Sequence, residues 1–175
     1  MVNIQVTGIS GIINRIERRK RTLEDKVKEL IEKAAEYGYK SASVNFQTAI
    51  YAGTNDVRVI EPSWEENTLI LAAEGKAVAF IEFGTGVHYT EVYPISVEGI
   101  APRGTYGKGK GSNDSWVYVG DPGNTWVEGE IIATKKDGRY VVKTHGNPPA
   151  RAMYNAGEIM KEKITELAKE VFSTW

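Results

Sequence analysis

Ala79-Phe80-Ile81-Glu82-Phe83-Gly84-Thr85-Gly86 sets one carboxylate inside an apolar run and then bends the chain at a pair of glycines. An acid among apolar neighbours must find hydrogen-bond donors if it is buried. The nearest are the N–H groups of the Gly84-Thr85-Gly86 turn, and the favoured reading is that Glu82 accepts from them and fixes the chain reversal. The competing reading joins Glu82 to His88 across the turn as a general acid/base pair. Nothing in the sequence supplies that pair with a nucleophile or an oxyanion donor, so a small hydrolase is the weaker alternative.

A second punctuated stretch, Gly146-Asn147-Pro148-Pro149-Ala150-Arg151-Ala152, opens the C-terminal helix. Asn147 can cap, and Pro148 suits the first helical position, where its missing N–H would be orphaned anyway. Met153, Ala156, Met160, Ile164, Leu167 and Val171 then recur at spacings of three and four, predicting an unbroken apolar stripe. Gly157 costs about 1 kcal/mol relative to Ala in a helix interior, which a closely approaching neighbour would explain. Phe172 and Trp175 carry apolar surface to the last residue.

At the other end, Ile4 and Val6 suit a brief strand before Gly8, and Ile9, Ile12, Ile13 and Ile16 begin a helical period that continues through Leu23, Val27, Leu30, Ile31 and Ala34. Thr22 with Asp25 resembles a capping box, so the stretch reads as one helix or two. Gly38 is a plausible stop, with a turn or two beyond it allowed. Glu24 with Lys28 and Glu29 with Lys33 are acid-first pairs at helical spacing. The helix is expected to dock by its apolar stripe, not by its charges. Arg15, Arg18, Arg19, Lys20 and Arg21 form the densest positive run, interrupted by Glu17 and without an aromatic neighbour to stack on bases. A solvated face is the leading reading for it, with a subunit contact or passing DNA as alternatives.

Between these ends the pattern turns to strands. Val57-Arg58-Val59 alternates, Leu69-Ile70-Leu71-Ala72-Ala73 is a strand-length apolar run, and Pro62 with Glu65, Glu66 and Asn67 is read as their separator. Trp116-Val117-Tyr118 predicts another strand. Trp126-Val127 through Ile131-Ile132 and Arg139-Tyr140-Val141-Val142 flank an Asp137-Gly138 turn, read as type I′ with positive φ at both centres. The fold class is α+β: an antiparallel sheet packed by an N-terminal helical segment and the C-terminal amphipathic helix. A long glycine-rich loop spans about 87–115, and its half from Ile100 to Asn113 is expected to be flexible until a partner orders it.

The 175 residues suit one domain, 1–175, and 41% hydrophobic with 26% charged residues is ordinary globular composition. There is no cysteine and there are two histidines, so disulfides, thiolate metal sites and His-rich metal sites are excluded. No metal or cofactor is expected. Neither a signal-like start nor a membrane-length apolar run is seen, so the expectation is a soluble protein made inside the cell, without membrane contact. Net charge is −1, yet residues 1–40 hold nine Lys/Arg against six Asp/Glu, and residues 41–100 hold two against eight. Such asymmetry either is solvated or attracts copies head to tail. Gly104 to Gly111 nearly spells a phosphate-binding loop, but Gly111 stands where Ser or Thr must ligate magnesium, and turn and strand signals follow instead of a helix.

In their order behind the basic helix, Phe80-Ile81-Glu82-Phe83-Gly84-Thr85 and Pro149-Ala150-Arg151-Ala152-Met153 resemble the head–tail joining (neck or tail-completion) proteins of tailed bacteriophages and prophages. The pattern in that family is an apolar run closing in Glu-Phe-Gly-Thr, a variable loop, and a proline–alanine junction opening a terminal amphipathic helix. Met153 and Tyr154 stand where the family usually has an aromatic, and the loop from 87 to 125 is longer than is common. The resemblance implies a non-catalytic virion protein of the neck, assembled in the host cytoplasm. It implies a ring of about six copies around the DNA channel, meeting the head connector and the tail tube or tail terminator. The residues it marks as structural are Glu82, Phe83, Gly84, Thr85, Gly86, Pro148, Pro149 and Ala150. For DNA or subunit contact the candidates are Arg15, Arg18, Arg19, Lys20 and Arg21 with Arg103, Lys108 and Lys110. The alternative to this family reading is a basic nucleic-acid-binding module using those same cations.

Overall fold

The computed structural model describes residues 9–86, 114–123 and 130–173. The lead with Ile4 and Val6, the loop cations Arg103, Lys108 and Lys110, His88, the phosphate-loop-like stretch, Trp126-Val127 and Trp175 lie outside them. Among the described residues eight elements follow in order: α1 (Ile9–Thr48), β1 (Arg58–Glu65), β2 (Thr68–Glu74), α2 (Val78–Phe83), β3 (Trp116–Gly120), β4 (Glu130–Thr134), β5 (Tyr140–Thr144) and α3 (Ala152–Phe172). The class is α+β, with long helices at both ends of the described chain and all strand pairings antiparallel. The strands make two sheets, a β1–β2 hairpin and a three-stranded sheet in the order β3-β5-β4.

The N-terminal segment is a single helix of 40 residues. Thr22 starts nothing, since its hydroxyl donates to the Arg18 carbonyl one turn back inside the continuous ladder. Gly38 is a packing position, not a stop. A Cβ there would lie 2.5 Å from Met160 Sδ and 3.1 Å from a Leu71 methyl, so its missing side chain lets α3 and β2 approach α1. No close approach explains Gly157, where a Cβ would meet nothing within 4 Å among the described residues. Of the acid-first pairs, Lys33 meets Glu29 at 3.4 Å, whereas Glu24 faces Lys20 at 3.9 Å and Lys28 lies over the Trp64 ring.

The main core joins Ala42, Phe46 and Ala49 of α1 to Val59 of β1, Ala77, Ile81 of α2, and Ala152 and Ala156 of α3. Leu167 and Val171 are buried farther along α3, but Ile164 is exposed, so the stripe is broken there. Pro62 lies inside β1. The ladder slips between Ile60 and Ser63, and this irregularity takes the residue without an N–H out of the pairing. The β4–β5 turn also departs from type I′. Gly138 N–H donates to the Lys135 carbonyl at 2.9 Å, and positive φ falls on Gly138 but not Asp137, whose carboxylate accepts from Arg139 N–H instead. That is a three-residue hairpin loop in which one left-handed glycine suffices.

Candidate structural site: a splice between two helices

β5 delivers the chain to Asn147, and there it meets the segment leaving α2. Thr85 and Asn147 form an isolated antiparallel bridge, with Thr85 N–H donating to the Asn147 carbonyl at 2.9 Å and the Thr85 hydroxyl donating to Asn147 Oδ1 at 2.6 Å. Gly84 makes the crossing feasible. Its φ of 74° and ψ of 173° belong to a region essentially reserved for glycine, and a Cβ would fall 2.8 Å from both the Asn147 carbonyl oxygen and Pro149 N. Gly86 also has positive φ and lies against the His145 carbonyl.

A helix end leaves its last carbonyls without intrahelical partners, and a helix start leaves its first N–H groups in the same state. In this fold the end of α2 and the start of α3 satisfy each other. Asn147 Nδ2 donates to the Phe80 carbonyl at 2.9 Å, Ala150 N–H to Ile81 at 2.8 Å, and Arg151 N–H to Glu82 at 3.2 Å. In return the Glu82 carboxylate reaches the second and third residues of α3. Oε2 accepts from Met153 N–H at 2.9 Å and Oε1 from Tyr154 N–H at 3.1 Å. Those are the amides a Ser, Thr or Asp N-cap would serve, but the N-cap of α3 is Arg151, in the left-handed region at φ 55° and without a side-chain cap bond. Glu82 is therefore a tertiary N-cap placed by another helix, and its negative charge stands at the positive end of the α3 dipole.

Burial completes the arrangement: Glu82 is 3% exposed, Thr85 6% and Asn147 2%. The expectation that Glu82 accepts from the Gly84-Thr85-Gly86 turn is corrected: its backbone N–H donors come from α3, and the Thr85 N–H goes to the Asn147 carbonyl. Asn147 does not cap the helix, and Pro148 precedes it by four positions, because α3 begins at Ala152. Phe83, Pro148, Pro149 and Ala150 are half-buried around the crossing, with Ala150 packed against the core. All eight residues marked by the family resemblance thus lie in one place.

The opposite end of α2 is held by a carboxylate that the sequence did not single out. Asp56 accepts from Lys76 N–H and Ala77 N–H, each at 2.9 Å, and these bonds hold its carboxyl below the usual carboxylate range. Beside the splice is a recess of about 260 Å³ lined by Tyr51, Phe80, Thr85, Trp116, Tyr118 and Asn147. Burial, with the nearby Asp121 and Tyr51, pushes the Tyr118 hydroxyl up to about 12, and that hydroxyl donates to the Asp121 carbonyl at 2.7 Å.

The basic run sits elsewhere. Arg15, Arg18, Arg19, Lys20 and Arg21 are exposed on the N-terminal half of α1, where Ile9, Ile12, Ile13, Ile16, Leu23 and Val27 are exposed as well. The expectation that the stripe docks throughout holds only from about Leu30 onward. α3 ends beside Lys26, whose Nζ donates to the Val171 carbonyl at 2.7 Å, and the earlier turns of α1 extend beyond it. Among the described residues no group of His, Asp and Glu is arranged to hold a metal, and no helix is long and apolar enough to cross a membrane. Comparison with known proteins finds no match among family models, curated proteins or solved structures.

Proposed function

We propose that this chain is a structural subunit of the neck of a tailed bacteriophage or prophage. It completes the tail and joins it to the head connector as a ring of copies around the DNA channel. The observation that carries the reading is the splice. The two short motifs behind the family resemblance, 60 or so residues apart in sequence, meet as one buried hydrogen-bonded unit. Motifs that serve a scaffold should converge in this way, and the outer surface is then left for neighbours. Glu82 fits a structural role better than an acid/base role, because both carboxylate oxygens accept backbone N–H bonds and the residue is 3% exposed. The site of action is the virion, after assembly in the host cytoplasm.

Deleting the gene in a host that produces tailed particles tests the proposal. The expected result by electron microscopy is filled heads and separate tails, with joining restored by the gene supplied in trans. Intact tailed particles from the deletion would refute it. A second reading, a nucleic-acid-binding module, is favoured by the exposure of Arg15, Arg18, Arg19, Lys20 and Arg21. It requires affinity for duplex DNA that falls steeply as salt rises, and a flat salt response removes it.

A further inference from the structure

The free half of α1 has a counterpart on the same molecule. Where α1 passes the β1–β2 hairpin, a groove of about 410 Å³ is walled by Tyr39, Pro62, Trp64 and Leu69 and rimmed by Glu32, Glu36 and Glu61, with Lys40 paired to Glu36 and Lys28 lying over the Trp64 ring. The free half of α1 carries the converse surface, a stripe of isoleucines flanked by Arg15, Arg18, Arg19 and Arg21. One face is apolar with an acidic rim and the other is apolar with a basic rim.

We infer that the first turns of α1 in one copy lie in the Glu32–Glu61–Trp64 groove of the next, making a head-to-tail contact between copies of this chain. Four features favour this occupant. The stripe is continuous with the seam that α3 covers: stepping back from Gly38 through Ala34, Leu30, Val27, Leu23, Ile16, Ile13 and Ile9, the residues keep helical spacing with Lys20 as the one polar member. A second covering surface of similar character is therefore implied. A symmetric pairing of two free halves would bring the two arginine runs together, which like-charge repulsion opposes. The groove and the stripe are also different patches, so their contact is heterologous and propagates into a ring or a filament rather than stopping at a dimer. The free segment from Ile9 to Leu23 projects roughly 20 Å, enough to lie across a neighbour's helix and hairpin.

This inference rests on the reading of the chain as a self-assembling part, and it specifies the contact. The experiment is sedimentation velocity at low and high salt on the full chain and three exposed-site variants, each checked for unchanged helicity by circular dichroism. The expected result is that wild type self-associates at low salt, while Arg18→Glu with Arg19→Glu, and separately Glu36→Arg with Glu61→Arg, each weaken association about tenfold or more. All four substitutions combined in one chain, which exchange the charges of the two surfaces, should restore it. Three results would overturn the contact: a wild type that stays monomeric under all conditions, association indifferent to both pairs, or a combined variant no better than its parents. Duplex DNA bound equally well by wild type and by Glu36→Arg with Glu61→Arg, and displacing any self-association, would reassign the arginines to nucleic acid. Association indifferent to these charges leaves the neck reading standing, whereas intact particles from the gene deletion would remove that reading whatever the contact.

Discussion

Glu82 and Ile16 are opposite inversions of the usual rule for where residue types lie. The glutamate is 3% exposed and the isoleucine 61% exposed. Glu82 tolerates burial because the start of α3 offers it two backbone N–H donors and the positive end of a helix dipole. Ile16 lies in the open because α3, which covers the same seam farther along, ends beside Lys26. A buried charge thus marks where the fold is closed, and under the proposed contact the exposed isoleucine stripe is where it meets another copy. Substitutions in the two regions should accordingly separate into effects on folding and effects on association.

The largest folding effect is expected at the splice. Glu82→Ala leaves two amides of α3 without acceptors inside the protein and should cost about 1.5–3 kcal/mol in urea unfolding, the range for hydrogen bonds to a charged group. A cost within 0.5 kcal/mol would make Glu82 a bystander. Gly84→Ala should cost about 1–3 kcal/mol, because it forces a side chain into a glycine-only conformation and against Asn147 and Pro149. A neutral Gly84→Ala would mean that the crossing relaxes freely. In the other region, Ile13→Ser with Ile16→Ser should leave monomer unfolding within about 0.5 kcal/mol of wild type while abolishing concentration-dependent association. A large loss of monomer stability would show that the stripe is covered within the chain.

The smallest effect is expected at Asp56, whose exposure limits its contribution. Its folded-state pKa is lowered by the N–H bonds from Lys76 and Ala77, so its contribution is present above the unfolded value near 3.8 and is lost as pH falls through the folded value. Asp56→Asn should therefore flatten the acid limb of the stability curve below about pH 4 and leave the alkaline limb unchanged. An unaltered acid limb would assign that loss to other carboxylates.

Much of this architecture is readable from the sequence where one element reports on itself. The α3 helix, the Trp116 strand and the Asp137-Gly138 hairpin all depend on neighbours in the chain, and the structure holds these elements, although Ile164 breaks the α3 stripe and the hairpin turn is not type I′. Reading failed where a local signal has two physical meanings. Gly38 can end a helix or admit a neighbour, and only the position of Met160 decides. Pro62 can close a strand or sit at an irregularity within one, depending on register. Glu82 needed N–H donors, and those of its own turn and those of a helix start 71 residues away are chemically alike. The isoleucine spacing fixed a helix face correctly, but periodicity carries no information about how far the covering helix extends.

Hydrogen exchange of the Met153 and Tyr154 amides tests the splice most directly. First-turn helix amides ordinarily exchange fast, since they have no partner within the helix. These two should be as slow as amides in the middle of α3 and should lose that protection selectively in Glu82→Ala, at denaturant concentrations where the rest of α3 stays protected. Fast exchange of both amides in the wild-type chain, or protection that survives loss of the carboxylate, would contradict the account.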